Sequence, residues 1–430
     1  MSIDTSLSTS ASGGAIVRER VRKRHFKLPI SLAVATALIW VMAFVFGRDG
    51  VSTYRLGDRT ASIDLGDIGI PTAPAVTICA IVLALLTAYA FWAVATFRKV
   101  GLWVPIVFAL LAVFAFLTWS AAGGLVPVTG LLFGAVSLSV PLVFGALGGV
   151  IGERVGVVNV AIEAQFLFAA FSSAVIASIT GSVLLGLAGA LVAGALVGAV
   201  LAVFSITYLV EQVIVGVVLN VLITGLTSFL HGALLNPNSE ALNSPPRFPR
   251  VPIPFLSEIP ILGPVVFNQT LIVYIMYLAV PLVAWGLYKT RWGLRLRAVG
   301  EHPQAADTVG IKVNPTRFWN VLLAGAIAGI GGAYFTLGSV GSFDKEMTGG
   351  LGFIALAAVI FGGWDPVRAT IAALLFGFTT NLETLLTNLG SPIPSEFMAM
   401  LPYIVTVLAV VGFAGQVRAP AAAGKPYIKG

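Results

Sequence analysis

Apolar residues fall along this chain in long, nearly unbroken runs of about 20 residues, separated by short polar or proline-rich pieces. A run of that length crosses a bilayer as an α-helix, whereas a membrane barrel shows short strands of alternating character. The segments are 28–46, 74–97, 102–120, 130–150, 157–180, 183–208, 213–234, 269–288, 317–340, 351–363, 367–388 and 398–415. Lipid offers no hydrogen bonds, so each must satisfy its backbone internally. The chain thus reads as an all-α polytopic membrane protein of about 10–12 transmembrane or half-spanning helices. The piece 351–363 is short for a crossing and is bounded by Gly349-Gly350 and Gly362-Gly363, which predicts a broken or half-length helix buried among neighbours.

Small residues add a second pattern. Ala190, Gly194, Gly198 and Ala202 recur every fourth position and draw a smooth ridge along one face of the 183–208 helix. Gly325, Gly329 and Ala333 repeat the spacing, as do Gly145 and Gly149, so several helices are expected to approach closely. Such ridges serve packing in any bundle and identify no substrate.

Composition agrees with the pattern: 58% of the 430 residues are hydrophobic and 10% charged, with a mean hydropathy of +0.98. Water cannot be the main solvent of such a chain. The net charge of +7 does not point to nucleic acid, because the basic residues collect in short segments beside apolar runs, as cytoplasmic loops do. Arg18, Arg20, Arg22, Lys23, Arg24 and Lys27 precede the first run and place the N-terminus in the cytoplasm. That run is too long for a signal-peptide core and no small-x-small cleavage pattern follows, so it reads as a first anchor. Residues 1–17, rich in Ser, Gly and Ala, read as a disordered tail. Counting crossings, the basic loop 289–317 falls inside, while the proline-rich loop 235–268 and the aspartate-bearing loop 47–73 fall outside. Cys79, the one cysteine, lies in an apolar stretch and excludes an internal disulfide or a thiolate cluster.

Catalytic chemistry finds no footing. The sequence holds no GxxxxGK[ST] phosphate loop and no GxSxG elbow, and His25, His231 and His302 do not cluster with carboxylates at metal-ligand spacing. Any ATP-derived energy must come from a partner. In the basic loop, Pro303 and Gly310 bracket Gln304-Ala305-Ala306-Asp307-Thr308-Val309, the punctuation of a helix of about two turns. A helix so short does not persist alone. It either docks on a partner, with Arg291, Arg295 and Arg297 facing acidic or phosphate groups, or is a surface turn.

The stretch Glu301-His302-Pro303-Gln304-Ala305-Ala306 followed by Gly310 resembles the permease "EAA"-type loop, whose coupling helix sits in a cleft of an ATP-binding subunit. Further likeness lies in Gly156-Val157-Val158-Asn159 with Glu163 and Gln165, in Gln212-Val213-Ile214-Val215-Gly216 running to Leu219-Asn220, and in Gly352-Phe353-Ile354-Ala355-Leu356-Ala357. Together these resemble the bacterial ABC permease family for simple sugars, branched-chain amino acids and nucleosides, most closely its nucleoside branch, which depends on an external binding lipoprotein. The family pattern usually has glycines near Glu163, where this chain carries Ala161 and Ala164.

The resemblance implies a permease core over 121–415, flanked by a cytoplasmic tail over 1–27, a three-helix extension over 28–120 and a cytoplasmic tail over 416–430. It implies a multi-pass subunit of the bacterial plasma membrane, paired with a cytoplasmic ATP-binding subunit, a second permease subunit in a heterodimer, and an external solute-binding lipoprotein or protein. The chain itself would bind no cofactor, ATP and Mg being used by the ATPase partner. Glu301, Pro303, Ala305, Ala306 and Gly310 become the ATPase-coupling residues.

Polar groups inside apolar spans cost free energy unless paired and are functional candidates by default. Asn159, Glu163 and Gln165 cluster at the start of one span, with Asn159 and Glu163 four apart on one helical face, and Asn220, Asn381 and Glu383 sit in others. Amides and a carboxylate suit the hydroxyls and base edges of a nucleoside, and Phe353, Phe361 and Trp364 could stack on a base. Each also reads as an interhelical hydrogen bond or interfacial anchor, and for Glu211 and Gln212 the interfacial reading is preferred. Two other functions stay open: a simple-sugar importer of the same mechanism, and a transporter driven by an ion gradient, for which 351–363 with Glu163 and Glu383 offers material.

Overall fold

The computed structural model describes residues 26–57, 65–389 and 418–429, together with Phe397 and Met400. Ten helices among the described residues are long and apolar enough to cross a membrane. The tail over 1–17 and, Met400 aside, the segment 398–415 lie outside the described residues.

Three helices come first: α1 (Lys27–Phe44), α2 (Thr72–Ala95) and α3 (Trp103–Ser120). Between α1 and α2, β1 (Val51–Arg55) and β2 (Asp67–Pro71) pair antiparallel with Val51 opposite Pro71, and β3 (Leu125–Pro127) joins β1 in parallel. This small sheet, which the apolar runs do not foretell, orders the base of the aspartate-bearing loop. Its interior polar groups are paired: Ser52 bonds Thr72 at 2.8 Å and Tyr54 bonds Thr118 at 2.6 Å.

The larger bundle begins with α4 (Val128–Arg154), α5 (Ile162–Thr180), α6 (Val183–Ala202) and α7 (Gln212–Leu230). Short α8 (Ser239–Leu242) and the pair β4 (Arg250–Pro252) and β5 (Asn268–Thr270) occupy the proline-rich loop before α9 (Leu271–Lys289). Next come α10 (Arg291–Glu301) and α11 (Pro303–Thr308), then α12 (Val313–Ala333), α13 (Leu351–Phe361) and α14 (Pro366–Asn388). Wider π-helical turns carry α6 on to Thr207, α7 to Leu235 and α12 to Val340.

The small-residue ridge is the seam between α6 and α12. A Cβ added at Gly194 would lie 2.2 Å from the Gly325 carbonyl oxygen, and one at Gly329 would lie 2.3 Å from that of Ala190. On α4, Gly145 and Gly149 meet Ala355 and Val359 of α13 at 2.8 and 2.7 Å by the same measure, so the half-length helix is pressed against the bundle. Two main cores result, with two small clusters around Leu117 and Tyr54 beside them. The large one joins α4 to α7, α9 to α10 and α12 to α14, while Leu32, Ile39, Leu83 and Phe108 centre a smaller one among α1 to α3.

Candidate functional site

At the end of α4 the chain turns at Gly156, whose φ of +96° suits glycine, and runs back as an irregular buried stretch before α5 begins. The span predicted over 157–180 thus becomes helical only at Ile162, and Asn159 sits in the turn rather than on one helical face with Glu163. Buried irregular backbone needs partners from side chains. Gln212 of α7 accepts from the Val158 N–H at 2.7 Å. Asn220, two turns on, accepts from Ala164 N–H at 2.9 Å and donates to the Val160 carbonyl at 3.0 Å. Asn159 and Gln165, both buried, bond each other amide to amide, with Asn159 Nδ2 donating to Gln165 Oε1 at 3.0 Å. Gln212 is therefore no interfacial anchor but a buried clip, while Glu211 beside it is exposed. Room for the stretch comes from Gly216, where a Cβ would stand 2.8 Å from that of Val160.

Glu163 has a different employment. Its Oε1 accepts from the Thr348 hydroxyl and from Gly350 N–H at 2.9 Å, and its Oε2 accepts from Gly352 N–H at 2.7 Å. Those donors form the N-terminus of α13, whose first N–H groups have no partner within the helix. A carboxylate is the fitting cap, since it meets both the orphan N–H groups and the positive end of the helix dipole. Gly352 permits the contact, because a Cβ there would lie 2.4 Å from Glu163 N.

Around this cap lies an open cavity of about 350 Å³ lined by Glu163, Asn220, Thr224, Glu346, Thr348 and Phe353. Phe353 presents its ring with 49% of the residue exposed. Three sequence candidates, Glu163, Asn220 and Phe353, are brought together here, with Asn159 and Gln165 directly behind the wall. Asn381 and Glu383 are not among the lining residues. Asn381 donates to the Leu131 carbonyl at 2.7 Å and fills the space over Gly134, an interhelical tie of α14 to α4, and Glu383 is half-buried farther along α14. Nor does the cavity take the other two aromatic candidates: Phe361 packs against Phe376, and buried Trp364 donates to the Glu153 carboxylate. Thr224, Glu346 and Thr348 were missed. The Gly349-Gly350 break was the available signal, for it marks where the chain folds back to meet α5.

The basic loop carries the short helix predicted over 303–309, observed as Pro303–Thr308, with Pro303 opening it and Gly310, φ +86°, closing it. Ala305 is exposed, and Ala306 is the one buried residue of the helix. Ahead of it α10, unforeseen from sequence, buries Gly293, Leu296, Val299 and Gly300 and exposes Arg291 and Arg295. Arg297 lies over the Tyr288 ring, 5.4 Å from its centroid.

Residues 131–410 match the family described as branched-chain amino acid transport system / permease component. The chain belongs to this family of membrane permeases. It is 40% identical over 299 residues to the guanosine ABC transporter permease protein NupQ of Bacillus subtilis, covering 67% of this chain and 93% of that protein. The nucleoside ABC transporter permease protein NupC of Lactococcus lactis is 40% identical over 302 residues, 68% of this chain and 94% of that protein. A putative glucose ABC transporter permease protein, TsgC13 of Haloferax volcanii, is 36% identical over 258 residues, 59% of this chain and 77% of that protein. No solved structure matches the chain.

Proposed function

We propose that this chain is the membrane pathway by which nucleosides enter the cell in an ATP-driven importer. The observation that carries the reading is the 40% identity to a guanosine and a nucleoside permease over 93% and 94% of their lengths. The cavity supports it. Glu163 and Asn220 spend most of their hydrogen-bonding capacity on backbone and so hold the wall in shape. The open faces of Phe353, Thr224 and Glu346 suit a base ring and sugar hydroxyls. In this reading the end of the bundle bearing α10 and α11 is cytoplasmic. A separate ATPase, using ATP and Mg, docks on α11, a second permease subunit completes the pathway, and an external binding protein delivers the solute. Nucleotide binding moves α11, and the bundle switches between outward and inward openings.

The test is uptake of labelled guanosine into membrane vesicles holding the assembled transporter, with ion gradients collapsed. Uptake that needs ATP and is competed by unlabelled nucleosides is expected, and Ala306→Asp or Glu301→Ala is expected to abolish it while membrane insertion stays normal. Uptake that follows a proton or sodium gradient and ignores ATP would refute the reading. The 36% identity to a putative glucose permease favours a simple sugar as the second reading. Competition by glucose but not by nucleosides would select it.

A further inference from the structure

We propose that residues 418–429 form a strap that locks α11 to the ends of α4 and α12, so that motion imposed on α11 reaches the bundle instead of flexing a loop. The proposal rests on the reading of α11 as the coupling helix. A six-residue helix whose one buried residue is Ala306 cannot hold its own geometry, let alone transmit force. Something must brace it, and the strap touches each element around it.

The Ala422 N–H donates to the Gly300 carbonyl at 2.9 Å, and the Ala421 N–H donates to Glu301 Oε2 at 3.2 Å, fixing the strap to the end of α10. Tyr427 is buried, and burial together with the neighbouring Asp307 carboxylate of α11 raises its phenol above the ordinary tyrosine range. Toward α12, Arg317 Nη1 donates to the Lys425 carbonyl at 2.9 Å. Toward α4, the Ala422 carbonyl lies so near Gly156 that a Cβ there would stand 3.3 Å away, and Gly424 lies over Val158. Two internal bonds, Ala423 N–H to the Pro420 carbonyl at 3.0 Å and Lys425 N–H to that of Ala422 at 3.2 Å, keep the strap folded. On the other side of α10, Gly300 is pressed on α4, since a Cβ there would meet the Arg154 carbonyl oxygen at 2.0 Å. The strap therefore closes a ring of α4, α10, α11 and α12.

Arg317 gives this closure its energetic weight. It is 2% exposed, and among the described residues its Nε and Nη2 have no acceptor, so the Lys425 carbonyl is the partner its guanidinium does have. Removing the strap would take that acceptor away and leave the guanidinium to find water or another partner.

Two variants of the complete transporter in lipid vesicles test the strap: deletion from residue 418 onward, and Ala421→Pro with Ala422→Pro, which keeps the length but removes both N–H donors. Amide hydrogen exchange over 303–310 is expected to quicken about tenfold in each. Guanosine taken up per ATP hydrolysed is expected to fall about tenfold while the ATPase still co-purifies and hydrolyses ATP. Unchanged exchange overturns the proposal, as does quicker exchange with an unchanged or higher uptake-to-hydrolysis ratio. Should the deletion fail to assemble, the proline variant decides. Because exchange is read without transport, a parental chain with no ATP-dependent uptake would defeat the coupling reading and leave the strap's bracing separately measured.

Discussion

At the scale of single residues, the intramembrane polar groups divide by what they already hold. Glu163 serves three donors, so Glu163→Gln keeps the shape but turns an NH₂ toward N–H or O–H groups and discharges the helix cap. A loss of about 2–3 kcal/mol is expected, read as a lower unfolding midpoint in detergent. An unshifted midpoint would mean the cap is idle. Phe353 is the opposite case, open to the cavity and free to stack. Phe353→Ala is expected to weaken guanosine binding to the purified permease–ATPase complex about tenfold, about 1.4 kcal/mol, while Phe353→Trp retains it. Equal affinity in all three by calorimetry would remove the ring from the site. The sequence marks Glu163, Asn159, Gln165 and Asn220 as costly to bury, which is why they stand out. Their roles are not legible there, because the partners of Glu163 lie 185 to 189 positions away.

Elements were legible in proportion to the length of their apolar runs. Spans of about 20 apolar residues announce themselves because the bilayer fixes their length, and Gly349-Gly350 with Gly362-Gly363 announces α13. The helix α10 escaped notice because its buried positions Gly293, Leu296, Val299 and Gly300 are few and three arginines lie among them. The pairing of ridges is likewise a property of two helices, though each ridge is visible in one. That seam allows a sharp contrast. Gly194→Val puts side-chain atoms into the Gly325 backbone and is expected to cost about 3 kcal/mol, seen as reduced thermal stability and poor recovery from detergent. Gly225→Val on α7, where an added Cβ meets nothing within 4 Å, is expected to be neutral. Equal behaviour of the two variants would argue against the seam.

For the molecule as a whole, the separation of cores sets what can be removed. Leu32, Ile39, Leu83 and Phe108 pack among α1 to α3 without entering the larger core, and the family match begins at residue 131, after those helices. This division is partly visible in sequence, where the shared motifs begin only after the third run. The docking is not, for it depends on Leu117 of α3 meeting Leu131, Leu382 and Leu386, and on Thr129 donating to the Leu56 carbonyl at 2.7 Å. A chain starting at residue 121 loses the Leu117 contact, the Thr129 bond to Leu56 and the β1 partner of β3, but keeps the seam of α6 and α12, the cap on α13 and the strap. Losing one leucine-sized contact costs about 2–5 kcal/mol, so an unfolding midpoint lower by roughly 5–10 °C is expected, with a monodisperse particle and retained ATP-dependent uptake. Midpoints from scanning fluorimetry and uptake in vesicles check both halves. If the shortened chain folds but no longer transports, α1 to α3 belong to the moving machinery. If it aggregates, the two cores are one cooperative unit despite their separate packing.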